Sequence, residues 1–306
     1  MLTSLLSLVI LATTPMVQTD TSFSVPEGSR LAVHNFSGNV VVRPGKRNIV
    51  RVQATHSAPM RVLITREGTS IDVRARGSNL PHQADPRTRG DALTQPVDYQ
   101  ITAPASMSLD LEGFHCNMDI DGWKSDVLAE TVRGGVKLRG GLGLIRLSSM
   151  TGGVDVRGAQ GRIQLSSVES AIGVHDAAGE ITVEAVNGSV ILDRVRSSLI
   201  DAATVNGDVQ FTGWLTDAGR YRLASHRGNL DVLLPLSTST RVMVSTFSGG
   251  FESAFPVRVG MIRPGRSFSF TLGEGRAMLD LQSFEGHINL RQGDPPVESP
   301  QAASRR

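Results

Sequence analysis

The chain has 306 residues, long enough to bury a sizeable core as one elongated unit or two. Lys and Arg number 31 against 29 Asp and Glu, and the signs alternate along the chain, so no basic field points to nucleic acid. With 32 Gly, 5% aromatics and one cysteine, the composition suits tight turns and thin layers and excludes an intramolecular disulfide.

Residues 2–17 are apolar and uncharged, and end in Ala12, Thr13, Thr14 and Pro15. They read as the hydrophobic region of a secretory leader cleaved near Gln18, too short to span a bilayer comfortably. No other segment has the composition of a transmembrane span. The mature chain is therefore expected to be exported: periplasmic, on the outer surface, or secreted. Over residues 21–111 apolar and polar positions alternate, as in strands with one buried face. Strands are expected at 31–34, 39–43, 49–54, 60–65 and 70–75, parted by turn signals such as Pro44-Gly45 and Glu67-Gly68. Residues 77–96 carry three Pro and few apolar side chains, and read as a long mobile loop. Strands at 97–102 and 107–111 lead into a repeat.

Between Phe114 and Phe211 a small residue returns every nine positions. The series is Cys116, Ser125, Gly134, Gly143, Gly152, Gly161, Ser170, Gly179 and Gly188, then, after one inserted residue, Ser198 and Gly207. Apolar residues stand two and four places after each, unbroken over eleven copies. Nine residues hold a strand of about five and a turn of about four. Such a strand cannot bury its apolar side alone, so the copies must stack. Two places before the small residue, one set of copies has Phe114, Val132, Met150, Val168, Val186 and Val205. The intervening set has Trp123, Gly141, Ala159, Ala177 and Arg196. Beyond the first pair, large alternates with small, which makes the unit eighteen residues in two unlike halves.

The expected fold class is all-β. A single-chain β-solenoid of about 18 residues per coil forms two parallel sheets, with coils about 4.8 Å apart. Past Phe211 the period breaks, and 214–219 reads as a turn. Looser copies at 228–232, 247–251 and 284–290, with strands between them, are expected to close the solenoid, and N-terminal strands to close its other end. The expected divisions are a leader at 1–18, N-terminal strands at 19–111, the repeat core at 112–213, closing strands at 214–291 and a disordered tail at 292–306.

With the repeat laid out, the chain resembles a family of exported bacterial β-strand-repeat proteins called putative adhesins, whose function is otherwise unassigned. The matching pieces are Gln18-Thr-Asp-Thr-Ser-Phe23, Val33-His-Asn-Phe-Ser-Gly-Asn-Val-Val-Val42, Thr204-Val-Asn-Gly-Asp-Val209 and its copy Ala185-Val-Asn-Gly-Ser-Val190. The resemblance covers roughly residues 18–291. It implies an exported repeat fold and supplies no catalytic residues.

Candidate binding residues fall on one stripe. Asp121, Arg139, Arg157, His175 and Asp193 recur eighteen apart, with Asp119, Lys137 and Asp155 beside them. On an eighteen-residue coil they line one outer face. Such a strip either contacts a glycan, a peptide or an acidic surface, or is a solvated face of mixed charges paired between coils. Asp119 with Asp121, and Asp193 with Asp201, are the carboxylate pairs that glycoside hydrolysis would need, without a cleft signal beside them. The seven His are scattered, and His115-Cys116 lacks further ligands at zinc spacing. At Ile145 a calcium-binding nonapeptide would need Asp. No nucleophile elbow, phosphate loop or dinucleotide fingerprint is present. Cys116 fills a slot that other copies give to Gly or Ser. The reading is a non-enzymatic, exported scaffold for interactions at the cell surface or envelope. Its partner is a protein or a glycan, and no cofactor, metal or nucleic acid is expected. The alternatives are a carbohydrate-active enzyme using an outer face, and an envelope-stress-associated structural module.

Overall fold

The inward positions of the repeat dictate its cross-strand neighbours. In β8 (Val127–Arg133), β10 (Leu142–Ser149), β12 (Gln160–Ser167) and β14 (Ala178–Asn187), partners are eighteen residues apart and parallel. Val127 pairs with Ile145, Ile145 with Ile163, and Ile163 with Ile181. The other half of each repeat builds a second parallel ladder through β9 (Val136–Gly140), β11 (Val154–Arg157) and β13 (Ile172–His175) at the same offset. β-Branched side chains suit these pleated, crowded positions. Side chains from both ladders belong to one buried apolar core. The computed structural model describes residues 16–46, 48–58, 60–77, 95–256 and 267–294, and over these the chain is all-β. The expected leader up to Pro15, residues 78–94 of the expected loop and residues 295–306 of the expected tail lie outside the described residues.

Long strands join the two ladders. β2 (Arg30–Pro44), β7 (Ser108–Trp123), β15 (Val190–Asn206) and β16 (Val209–Arg227) each lend one half to each ladder. Gly38 pairs with Cys116, so Phe36-Ser-Gly38 stacks directly on Phe114-His-Cys116. Two expectations are corrected here. Residues 214–219 are not a turn but part of β16: Trp214 and Leu215 pair with Arg196 and Ser197, and register resumes at Arg220 opposite Leu199. The extra residues fold over Tyr221, whose hydroxyl accepts from the Thr216 amide at 2.7 Å. Opposite Gly179 stands Ser197, not Ser198, and Ser198 is the extra residue of a bulge.

The ends differ from the middle. Beyond β2 the ladders continue into β5 (Ser70–Gly77) and β6 (Val97–Ala103). Antiparallel strands then close them: β4 (Met60–Glu67) on β5, β3 (Ile49–Ser57) on β6, and β1 (Met16–Ser24) on β3. At the other end the stack leaves chain order. β21 (Ala277–Glu285) lies on β16, and β22 (Ile288–Gln292) lies on β17 (Leu230–Leu234). Outside them come β18 (Thr240–Thr246) and β19 (Phe251–Ser253), and β20 (Ser267–Leu272) closes β18 antiparallel. An outer strand running the other way interrupts the parallel template on which a further coil would add.

At the small-residue slots the backbones of successive repeats touch. A Cβ on Gly152 would stand 1.9 Å from the Gly134 carbonyl oxygen. Three places before these slots, in one half of the repeat, sits a hydroxyl that donates to the slot carbonyl one repeat earlier. Thr131 reaches Cys116 O at 3.0 Å, and Ser149, Thr204 and Ser225 reach Gly134, Gly188 and Gly207 at 2.8 Å. Ala185 breaks this buried series, opposite Ser170. Ala185→Ser is expected to add the missing bond and stabilise the chain by about 1 kcal/mol. A raised urea midpoint at constant slope would register it, and a lowered midpoint would contradict it. Cys116 is fully buried in its slot, where its thiol donates to Asn35 O at 3.1 Å and burial pushes its pKa up to about 11.

Candidate functional site

Register brings all eight residues of the charged stripe onto one outward face. Asp119, Lys137 and Asp155 are successive partners on β7, β9 and β11. One column over, Asp121, Arg139, Arg157, His175 and Asp193 run across β7, β9, β11, β13 and β15. The charges there bind one another. Arg43 holds Asp119 at 3.1 Å, and Arg157 holds Asp155 at 2.9 Å. Arg139 Nη1 sits between Asp119 and Asp121, 3.8 and 3.6 Å from their oxygens. His175 Nδ1 is 3.4 Å from Asp193, which also pairs with Arg194, and Arg194 reaches Asp176 at 2.6 Å. Lys137 makes no hydrogen bond or ion pair among the described residues, but its charge acts on Asp155, its register partner. Exposed pairs of this kind each contribute a fraction of a kcal/mol, and together they leave the face with little net field.

These pairs set an acid limit on stability. The Arg194 guanidinium holds the Asp176 carboxyl below its ordinary range, and Arg74 does the same for Asp72. At Asp155 burial opposes ionisation, but Arg157 outweighs it. A carboxyl depressed in the folded state stabilises above its unfolded pKa and loses that contribution as pH falls through the folded value. The melting temperature is therefore expected to hold from neutral pH to about 5 and to fall below about 4. A melting temperature that rose on acidification below that point would contradict this.

The second surface lies at a corner between the ladders. Phe36, Phe114, Met150, Val168, Val186, Val205, Phe284 and Phe247 are exposed, Met150 to 50% and Phe247 to 58%. They succeed one another along the stack, with Val132 and His226 completing the ridge. Its ends are aromatic. Phe36 stacks on Phe114 at 5.1 Å between ring centres, His226 on Phe284 at 4.7 Å, and Phe284 on Phe247 at 4.6 Å. Beside the ridge runs an open groove of about 810 Å³. Short side chains make its floor, among them Ser148, Ser166 and Ala203, while Val132 to Val205 form one wall. A second hollow of about 550 Å³ lies farther along, beside His226 and Phe284. The large residues that set the repeat length in the sequence are thus this ridge. Periodicity alone does not tell an exposed corner from a buried one, and a strand that bends there turns the side chain outward.

No protein-family model matches the chain, and no curated protein does. Solved structures do. A protein named as a putative adhesin from Parabacteroides merdae shares 10% identity over 90% of this chain and 96% of its own, with a TM-score of 0.51. Another so named, from Parabacteroides distasonis, shares 9% over 90% and 97%, with a TM-score of 0.48. A third, from Bacteroides fragilis, shares 12% over the same two proportions, with a TM-score of 0.42. Likeness at such identities is likeness of fold. In fold, then, this chain is similar to the Parabacteroides merdae protein named as a putative adhesin.

Proposed function

We propose that the chain is a non-enzymatic β-solenoid of eighteen-residue coils that works as an adhesin-like interaction scaffold at the cell surface or envelope. The observation that carries this reading is the exposed, mostly apolar ridge that runs from Phe36 to Phe247, with half-buried Val132 and the His226 ring within it. Apolar side chains held in line on a rigid corner suit contact with a partner over many coils. The eighteen-residue parallel register supports the solenoid, and the likeness to proteins named as adhesins supports the role. Residues 2–17 support export. Across the carboxylate pair Asp119 and Asp121, Arg139 occupies the gap that a glycosidic oxygen would need, which weighs against glycoside hydrolysis there.

The test presents the purified chain with arrays of glycans and of envelope proteins, and reads binding and bond cleavage separately. Binding without cleavage, weakened by Met150→Ser, is expected. Cleavage lost on Asp119→Asn or Asp193→Asn would overturn the reading in favour of an enzyme. A fusion retained uncleaved in the cytoplasm would overturn export.

A further inference from the structure

The groove beside the ridge carries charge unevenly. Three carboxylates border it: Glu112, Glu130 and Glu184. Glu112 is engaged by His34 Nδ1 at 2.8 Å. Glu130 and Glu184 are exposed and have no hydrogen bond or ion pair among the described residues. They contrast with the charged face, where nearly every carboxylate has a cation. The two stand in one column of the sheet. Glu130 pairs with Ser148, Ser148 with Ser166, and Ser166 with Glu184. Three strand steps put them about 14 Å apart along the groove. Between them the floor is low, and Met150 and Val168 offer an apolar wall.

An extended peptide advances about 3.4 Å per residue and points alternate side chains to one face. Residues i and i+4 then face the same way, about 13.6 Å apart. We infer that the groove docks an extended peptide segment with Lys or Arg at i and i+4 and an apolar residue at i+2. The cations meet Glu130 and Glu184, and the middle side chain lies against Met150 and Val168. A neutral glycan would leave both carboxylates without a partner. This inference rests on the scaffold reading above and names the partner of that scaffold.

The test uses the whole chain and a short, capped, fluorescent peptide with Lys at i and i+4, Val at i+2 and Ser elsewhere, followed by anisotropy. Binding is expected to weaken as salt rises. Glu130→Gln and Glu184→Gln should each cost about threefold in affinity, and the two together about tenfold. A peptide with Lys at i and i+3 points its charges to opposite faces and should bind about tenfold more weakly. Both substitutions are on the surface, and unchanged melting confirms the fold. Equal binding of the two peptides, full affinity in the double variant, or capture of a neutral linear oligosaccharide alone would overturn the inference. If no peptide binds while the whole chain still binds an array, the inference falls and the scaffold reading stands. Loss of both removes both.

Discussion

Ile163→Asp is expected to abolish the stable fold. Ile163 has no exposed surface, and its register partners Ile145 and Ile181 are equally buried. An aspartate there meets no cation and no donor in register, because the side chains on either side of it, Ile145 and Ile181, are apolar. Burying an unpaired carboxylate costs well over 4 kcal/mol, or demands that the group stay protonated. The stack spreads the damage, since each repeat is stabilised by its neighbours. Two conservative changes bound the effect. Ile163→Val removes one methyl group and should cost about 1 kcal/mol. Gln164→Glu lies one residue away on the outer face, where Gln164 already accepts from Arg146 at 2.9 Å, and should move stability by less than about 0.5 kcal/mol. Urea melts followed by far-ultraviolet circular dichroism read all three. A soluble Asp variant with the parent melting curve would place Ile163 outside the core.

Gly161→Ala should be nearly as severe, for a backbone reason. Gly161 has a φ of +125°, and a Cβ built on it would lie 2.2 Å from the Gly143 carbonyl oxygen. That oxygen is part of the preceding repeat's backbone, so nothing flexible can give way. Gly179 stands on the other side with its own Cβ direction blocked by Gly161 O at 2.0 Å. A loss of about 3 kcal/mol or more is expected from conformational strain together with the displaced coil. Gly158→Ala separates the two causes. Gly158 has a φ of +66° and nothing within 4 Å of a built Cβ, so only the left-handed conformation is penalised, by about 1 kcal/mol. Comparable losses at the two sites would show that close approach contributes nothing.

The interior was legible because it is made of local periodicity. Apolar residues two and four places after each small residue, from Met118 to Phe211, are buried in the core. The alternation of Val132, Met150 and Val168 with Gly141, Ala159 and Ala177 set the unit length that the register shows. Cys116 and the glycines of the series are the places where backbones of successive repeats meet. The charged stripe was legible for the same reason, since residues eighteen apart become neighbours. What escaped the sequence depends on contacts of long separation. Residues 214–219 look like a turn until Tyr221 is seen beneath them. The placement of β21 and β22 inside β18 and β19 has no local signal, because parallel pairing across Arg220 and Met278 depends on which free edge the last strands meet. The buried hydroxyls of Thr131, Ser149 and Thr204 did carry a signal, three places before the slot, but it reads as ordinary polar alternation until their acceptors are known. The ridge was visible as a list and not as a surface.

The account rests on the eighteen-residue coil, since the core, the corner contacts and both outer columns follow from it. Removing one whole coil tests it directly. Deleting residues 145–162 joins Leu144 to Ile163 and lays β12 on β8 in the register that β10 leaves. Deleting residues 145–153 removes half a coil and brings the strands of one ladder against those of the other. Urea unfolding of the two variants, followed by far-ultraviolet circular dichroism, decides between them. The account predicts a cooperative β-sheet transition for the eighteen-residue deletion and none for the nine-residue deletion. Cooperative folding of the nine-residue deletion, or failure of the eighteen-residue deletion alone, would contradict it.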